Sequence, residues 1–198
     1  MGRQCYIGIN RGGKTGTVSL FSPVDFSDPP PGQQPSQQDF VMNHTADFDK
    51  LLQAIDDKKA RIGVVGLGYV GLPLSKTFLE AGFECLGFDL DEEKIRQLEA
   101  GKSYIKHIDG GWIARQVEAG SFQATSDMQR LSEADVILIC VPTPLADNRQ
   151  PDLSFVEGTA RSIANTLRPG QLIILESTTY PGTTREILLP ILEQGGLK

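Results

Sequence analysis

From Asn43 onward, apolar positions along the chain recur in two alternating rhythms. Phe48, Leu51, Leu52 and Ile55 follow helical spacing, which predicts a short amphipathic helix over about residues 46–58. After it, compact apolar runs rich in β-branched residues alternate with helically spaced stretches. The runs predict strands at 61–65, 83–88, 122–124, 136–141 and 172–175. The stretches predict helices at 69–81, 92–100, 111–119, 126–131, 153–167 and 184–192. Such alternation predicts parallel strands joined by right-handed helical crossovers, an α/β architecture. Ile62-Gly-Val-Val65 and Val136-Ile-Leu-Ile-Cys-Val141 are apolar on both faces, as central parallel strands must be. Gly82, Gly101 and Gly120 fall where helices should end in a left-handed residue. Asp152 stands at the N-cap position of the helix that follows it, and Thr183 with Glu186 has the spacing of a capping box.

Ahead of this regular region the pattern is lost. The stretch from Phe21 to Gln38 is rich in Pro, Gln and Ser and cannot bury enough apolar surface to offset its ordering entropy. The expected organisation is a disordered extension over 1–41 followed by one folded domain over 42–198. Charge and cysteines narrow the setting. A formal net charge of -6 gives no general attraction to nucleic acid or to an anionic membrane, so neither is an expected partner. No apolar run is long enough for a transmembrane helix, and the first residues do not read as a secretory signal. The three cysteines, Cys5, Cys85 and Cys140, form no disulfide framework. Reduced thiols and a cytoplasmic location are expected, with no metal site.

Gly66-Leu-Gly68-Tyr-Val-Gly71 follows the first predicted strand and opens the helix after it. In that context the glycines have separate tasks. Gly66 permits the tight turn, Gly68 lets the backbone approach a pyrophosphate, and Gly71 lets the helix pack closely. The helix N-terminus then offers free N–H groups and partial positive charge to the phosphates. Tyr69 and Val70, inside the motif, join the candidate site. Asp89 ends the next strand, Glu84-Cys-Leu-Gly-Phe-Asp89, 18 residues after Gly71. A carboxylate there accepts hydrogen bonds from ribose hydroxyls and repels a 2′-phosphate, so NAD is expected over NADP. Together these features predict a Rossmann-type doubly wound parallel sheet of five strands, stopping before a sixth. Gly8-Ile-Asn-Arg-Gly-Gly-Lys-Thr15 also fits a phosphate-loop pattern. It lacks the strand before and the helix after that such a loop needs, and is set aside.

Two later strand ends carry further candidates, since ligands of open parallel sheets sit outside the carboxyl ends of strands. Cys140-Val-Pro-Thr-Pro144 contributes Val141, Thr143 and Pro144, and can equally be read as a stiff exit loop. Glu176-Ser-Thr-Thr-Tyr-Pro-Gly-Thr-Thr184 contributes Ser177 and Thr178, although some of its hydroxyls can simply cap the next helix.

These motifs, with Gly101-Lys-Ser-Tyr-Ile-Lys-His-Ile108 and Pro151-Asp-Leu-Ser154, resemble the UDP-glucose/GDP-mannose dehydrogenase family from about Phe48 to Lys198. Within it, the Lys-Ser-Tyr-Ile and Glu-Ser-Thr-Thr-Tyr-Pro-Gly segments are most similar to bacterial UDP-N-acetylglucosamine 6-dehydrogenases. The resemblance implies oxidation of the C6 alcohol of a UDP-N-acetylhexosamine or UDP-glucose to a uronate, with two NAD, in polysaccharide biosynthesis by a homo-oligomer. A cysteine would hold the intermediate as a thiohemiacetal and then a thioester. By position, Val70, Asp89, Lys94 and Thr143 are implied as cofactor contacts. Thr178 is implied as an auxiliary catalytic residue that touches the cofactor and helps place a water. The family's catalytic Cys, Lys, Asn, Asp and Glu follow the first domain, beyond Lys198. Cys85 and Cys140 do not fit the nucleophile's context. The chain is therefore expected to be a fragment inactive alone; the alternative is a stand-alone, non-enzymatic NAD-binding protein.

Overall fold

The computed structural model describes residues 37–145 and 151–195, with side chains from residue 46. Residues 1–36 of the expected extension and the set-aside phosphate-loop pattern lie outside the described residues. Five four-residue strands form one parallel sheet: β1 (Ile62–Val65), β2 (Cys85–Phe88), β3 (Phe122–Thr125), β4 (Val136–Ile139) and β5 (Leu172–Leu175). Their order is β3-β2-β1-β4-β5. The register is even, with Ile62 opposite both Cys85 and Val136, and those in turn opposite Phe122 and Leu172. The sheet reverses its winding between β1 and β4, so the ends of these neighbours diverge into separate connections at the switch point.

Alternation along each strand sorts the core into two layers. Ile62, Val64, Cys85, Phe122, Val136, Leu138, Leu172 and Ile174 face one side. There they meet α1 (Gln37–Asp56), α2 (Gly71–Glu80), α3 (Glu92–Glu99) and α4 (Gly110–Glu118) through residues such as Leu51, Leu72, Leu98 and Ile113. Val65, Leu86, Phe88, Ile137, Ile139 and Ile173 face the other side, under a 3-10 helix (Met128–Glu133), α5 (Ser154–Thr166) and α6 (Leu189–Glu193). Both faces of β1 and β4 are thus dry, which is why their sequences are unbroken apolar runs.

The strands fall within a residue or two of expectation, and Gly82, Gly101 and Gly120 take positive φ at the helix ends. Four element assignments are corrected. Helix α1 begins at Gln37 and not near 46. The predicted strand over 136–141 stops at Ile139, because Pro142 cannot donate to a ladder and the chain turns out after Cys140 N–H bonds Val65 O. The predicted helix over 126–131 is the 3-10 helix, capped by Asp127, whose carboxylate accepts from Gln129 N–H. The predicted helix over 184–192 opens as a π-turn (Thr184–Leu188) before α6, since Pro190 has no N–H to bond back one α-turn.

The capping box does not form. Thr183 already has helical dihedrals, and its hydroxyl donates to Tyr180 O at 2.7 Å, while Arg185 and Glu186 N–H bond Gly182 O. The turn begins one residue earlier than the pattern suggests, which leaves no free N–H for the threonine oxygen. Asp152 does accept from Ser154 N–H at 2.9 Å, although the N-cap residue of α5 is Leu153.

Candidate functional site

The glycine turn sits between β1 and α2, and each glycine is required for a different reason. Gly66 has φ +92, and a Cβ there would lie 2.7 Å from Cys140 O. A Cβ on Gly71 would lie 1.9 Å from Gly66 O, so the first turn of α2 rests directly on the loop. Gly68 has the opposite environment: a Cβ would meet nothing within 4 Å. Leu67 between them is fully buried, with its methyl groups against Gly87 of β2, and anchors the turn. Tyr69 and Val70 stand out in solvent, 82% and 55% exposed.

The start of α2 has no side-chain cap and no acidic residue in its first turn. Among the described residues, none accepts a hydrogen bond from the N–H of Gly68, Tyr69 or Val70. A helix N-terminus left this way, beside a glycine open to solvent, suits a dianionic phosphate ligand.

Asp89 leaves the end of β2 and is nearly buried. One carboxylate oxygen accepts from Leu67 N–H at 2.9 Å and from Lys94 Nζ at 3.1 Å; the other accepts from Asp91 N–H at 3.0 Å. It therefore ties the glycine turn, the end of β2 and α3 together. A carboxylate has about four acceptor positions, so three donors leave capacity for a ligand hydroxyl. Lys94, reached from α3, places a cation on the same oxygen.

A residue not singled out in the sequence completes this side of the site. Tyr104 lies in the connection between α3 and α4 and donates its hydroxyl to Leu67 O at 2.6 Å. Burial, and then the carboxylates of Asp89 and Asp91, push this phenol above its ordinary range, so it stays a neutral donor. The Gly101–Ile108 motif contained the signal, a tyrosine just ahead of two isoleucines, Ile105 and Ile108, that prove to be buried.

On the other flank the two later strand ends meet. Thr143 Oγ1 donates to Thr178 O at 2.7 Å, and Ser177 Oγ donates to Val141 O at 2.7 Å. The hydroxyl protons of Thr143 and Ser177 are thus engaged in joining the exits of β4 and β5, while Thr178 and Pro144 are exposed. Val141 N lies 3.1 Å from where a Gly66 side chain would begin, so this pair borders the glycine turn. The candidate residues therefore converge along the carboxyl edge of β2, β1, β4 and β5, across the switch point. An open glycine, unpaired helix N–H groups and a carboxylate at the end of β2 fit a dinucleotide.

The cysteines do not join this edge as reactive groups. Cys85 is buried in β2, and burial pushes its thiol up to about 12. Cys140 is half-buried just past β4; burial, and then the Glu176 carboxylate, push it to about 12. Among the described residues no cluster of metal-ligating side chains occurs, and no helix is long and apolar enough to cross a membrane.

A sequence profile of the UDP-glucose/GDP-mannose dehydrogenase family, NAD binding domain, matches residues 60–197. An NDP-N-acetyl-D-galactosaminuronic acid dehydrogenase from Ralstonia nicotianae is 39% identical over 136 residues, covering 68% of this chain and 31% of that protein. A UDP-N-acetyl-D-glucosamine 6-dehydrogenase from Pseudomonas aeruginosa is 37% identical over 137 residues, covering 69% of this chain and 32% of its own length. Among solved structures, a ternary complex of GDP-mannose dehydrogenase from Pseudomonas aeruginosa superposes with a TM-score of 0.66 at 30% identity, over 70% of this chain and 33% of that one. The chain spans about a third of the length of the curated relatives it matches.

Proposed function

The chain belongs to the UDP-glucose/GDP-mannose dehydrogenase family and carries its NAD-binding domain, and from that premise we propose that residues 42–198 supply the cofactor site of a nucleotide-sugar 6-dehydrogenase. The reaction assigned is oxidation of the C6 alcohol of a UDP-N-acetylhexosamine or UDP-glucose to the uronate. The names of the relatives support the substrate class: sugar nucleotides carrying an N-acetyl group recur among them. When bound, NAD supplies a hydride acceptor, and two are consumed for each sugar.

The observation that carries the reading is the open N-terminal edge of α2 beside Gly68, with Asp89 at the end of β2. In this assignment Gly66, Gly68 and Gly71 form the phosphate turn, with Tyr69 and Val70 over the bound molecule. Asp89 and Lys94 hold the adenosine ribose. Val141, Thr143, Pro144 and Ser177 border the far half of the cofactor, and Thr178 has the auxiliary role of placing a water. Free thiols at Cys85 and Cys140 fit a reducing compartment, and we place the protein in the cytoplasm.

What the described residues do not offer is an activated nucleophile. The second oxidation needs a carbonyl adduct on one, and both described thiols are held protonated. The chain of 198 residues should therefore bind NAD without carrying a sugar through to the uronate. Incubation with NAD and UDP-N-acetylglucosamine or UDP-glucose, followed by assay of the uronate product, tests this. No uronate is expected; uronate formation lost in Cys140→Ser or Cys85→Ser would overturn the assignment.

A further inference from the structure

Tyr104 is 37 residues from Leu67 in sequence, yet its hydroxyl is bonded to the backbone of the phosphate turn. The bond falls on the peptide unit that joins Leu67 to Gly68. In a trans peptide the C=O and N–H point in opposite directions, and the described chain has no cis peptide. Holding Leu67 O toward Tyr104 therefore aims Gly68 N–H away from it. The preceding unit is pinned as well, because Leu67 N–H donates to Asp89 at 2.9 Å. Two successive peptide planes in a Gly-x-Gly turn are thus fixed from outside the turn. The N–H so aimed has no acceptor among the described residues, and Gly68 faces open space.

Such fixing matters most where glycine flanks the bond, since glycine gives the backbone its widest freedom. A turn left to rotate there would have to be ordered when a ligand binds, and that ordering lowers affinity. We propose that Tyr104 is a positioning residue for the dinucleotide: its hydroxyl orients the Leu67–Gly68 peptide so that Gly68 N–H is presented to the pyrophosphate. This rests on the reading of the turn as the NAD site. The phenol also has to remain a donor, and its surroundings keep it protonated.

Tyr104→Phe in the full chain removes the hydroxyl and keeps the ring in its packing. Four readouts separate positioning from mere stability: the carbonyl ¹³C shift of Leu67 without ligand, the melting temperature, calorimetric affinity for NAD and ADP-ribose, and calorimetric affinity for adenosine. The Leu67 carbonyl shift should move upfield as its hydrogen bond is lost. NAD and ADP-ribose, which both carry the pyrophosphate, should weaken together by about three- to tenfold, the range an ordinary neutral hydrogen bond accounts for. Adenosine affinity should be unchanged, and the melting temperature should fall by no more than roughly 1–6 °C, the loss of one hydrogen bond. Wild-type NAD affinity in the variant would overturn the inference while leaving the cofactor reading intact. So would an equal loss for adenosine, which would mark general distortion. A wild-type chain that binds neither NAD nor ADP-ribose would refute the cofactor reading itself, and this inference with it.

Discussion

Alanine at Gly71 and, separately, at Gly68 should divide the demands of the fold from those of the ligand. At Gly71 the new Cβ would lie 1.9 Å from Gly66 O, 3.0 Å from Gly66 C and 3.2 Å from Val64 Cγ1. A carbon and a carbonyl oxygen settle at about 3.3 Å or more, so α2 or the turn must retreat by roughly 1.4 Å. The closest obstacles are backbone atoms, which cannot rotate away as a side-chain tip can. Overpacking of this kind costs about 1–3 kcal/mol, and a backbone clash belongs at the upper end. For a domain of this size, about 3 kcal/mol lowers the melting temperature by roughly 6–12 °C. At Gly68 nothing lies within 4 Å and φ is not positive. Alanine there should leave stability unchanged or raise it by about 0.4–1 kcal/mol through the unfolded chain. On the proposed cofactor reading its methyl group would nonetheless stand where the phosphates approach. Losing two hydrogen bonds to a charged ligand, at about 1.5–3 kcal/mol each, weakens binding by about 100-fold or more. Thermal unfolding by circular dichroism and titration calorimetry with NAD read the two effects. Gly71→Ala melting with the wild type would refute the packing argument. Gly68→Ala binding NAD as tightly as the wild type would refute the placement of the pyrophosphate.

Asp89 supplies a second test: the wild-type chain should prefer NAD to NADP, and Asp89→Asn should narrow that preference, because a neutral side chain no longer repels a 2′-phosphate. Equal calorimetric affinity of the wild type for both cofactors would remove Asp89 from the ribose. The thiols supply a third. A group that ionises near 12 has about one thiolate in ten thousand at pH 8, so iodoacetamide should label Cys85 and Cys140 slowly in the native chain and quickly in guanidinium. Since folding raises both values above the about 8.5 of an open chain, the stability they confer is full below that pH and declines as pH rises toward 12. Rapid native labelling of Cys140, read by mass spectrometry, would show a thiolate that the structure does not provide for.

Much of the architecture is written in short-range pattern. Burial on both faces makes β1 and β4 continuous apolar runs, and left-handed helix ends demand Gly82, Gly101 and Gly120. Gly66 and Gly71 were legible for a related reason, since the positive φ of Gly66 and the contact of Gly71 with Gly66 O are set within a few residues of chain, although Gly66 must also clear Cys140 O from the end of β4. The misread ends have equally local causes that pattern alone underweights: Pro142 closing β4 early, Pro190 opening a π-turn, and Gly182 starting that turn before Thr183. Other features depend on distance folded away. Asp89 could be picked out by its spacing, but not that it holds Leu67 N–H and shares an oxygen with Lys94. Tyr104 stands in the Gly101–Ile108 motif, but its partner was not readable until the connection after α3 carried it to Leu67 O. Likewise, the Thr143 hydroxyl could be read as ligand-facing or structural until β4 and β5 paired and brought Thr178 O to it. Periodicity and turn chemistry act between neighbours along the chain, so the sequence by itself determined the strands, most of the helices and the glycine turn. Hydrogen bonds between strand ends and loops tens of residues apart exist only once the sheet is assembled, so the tertiary structure alone decided which groups hold that turn in place.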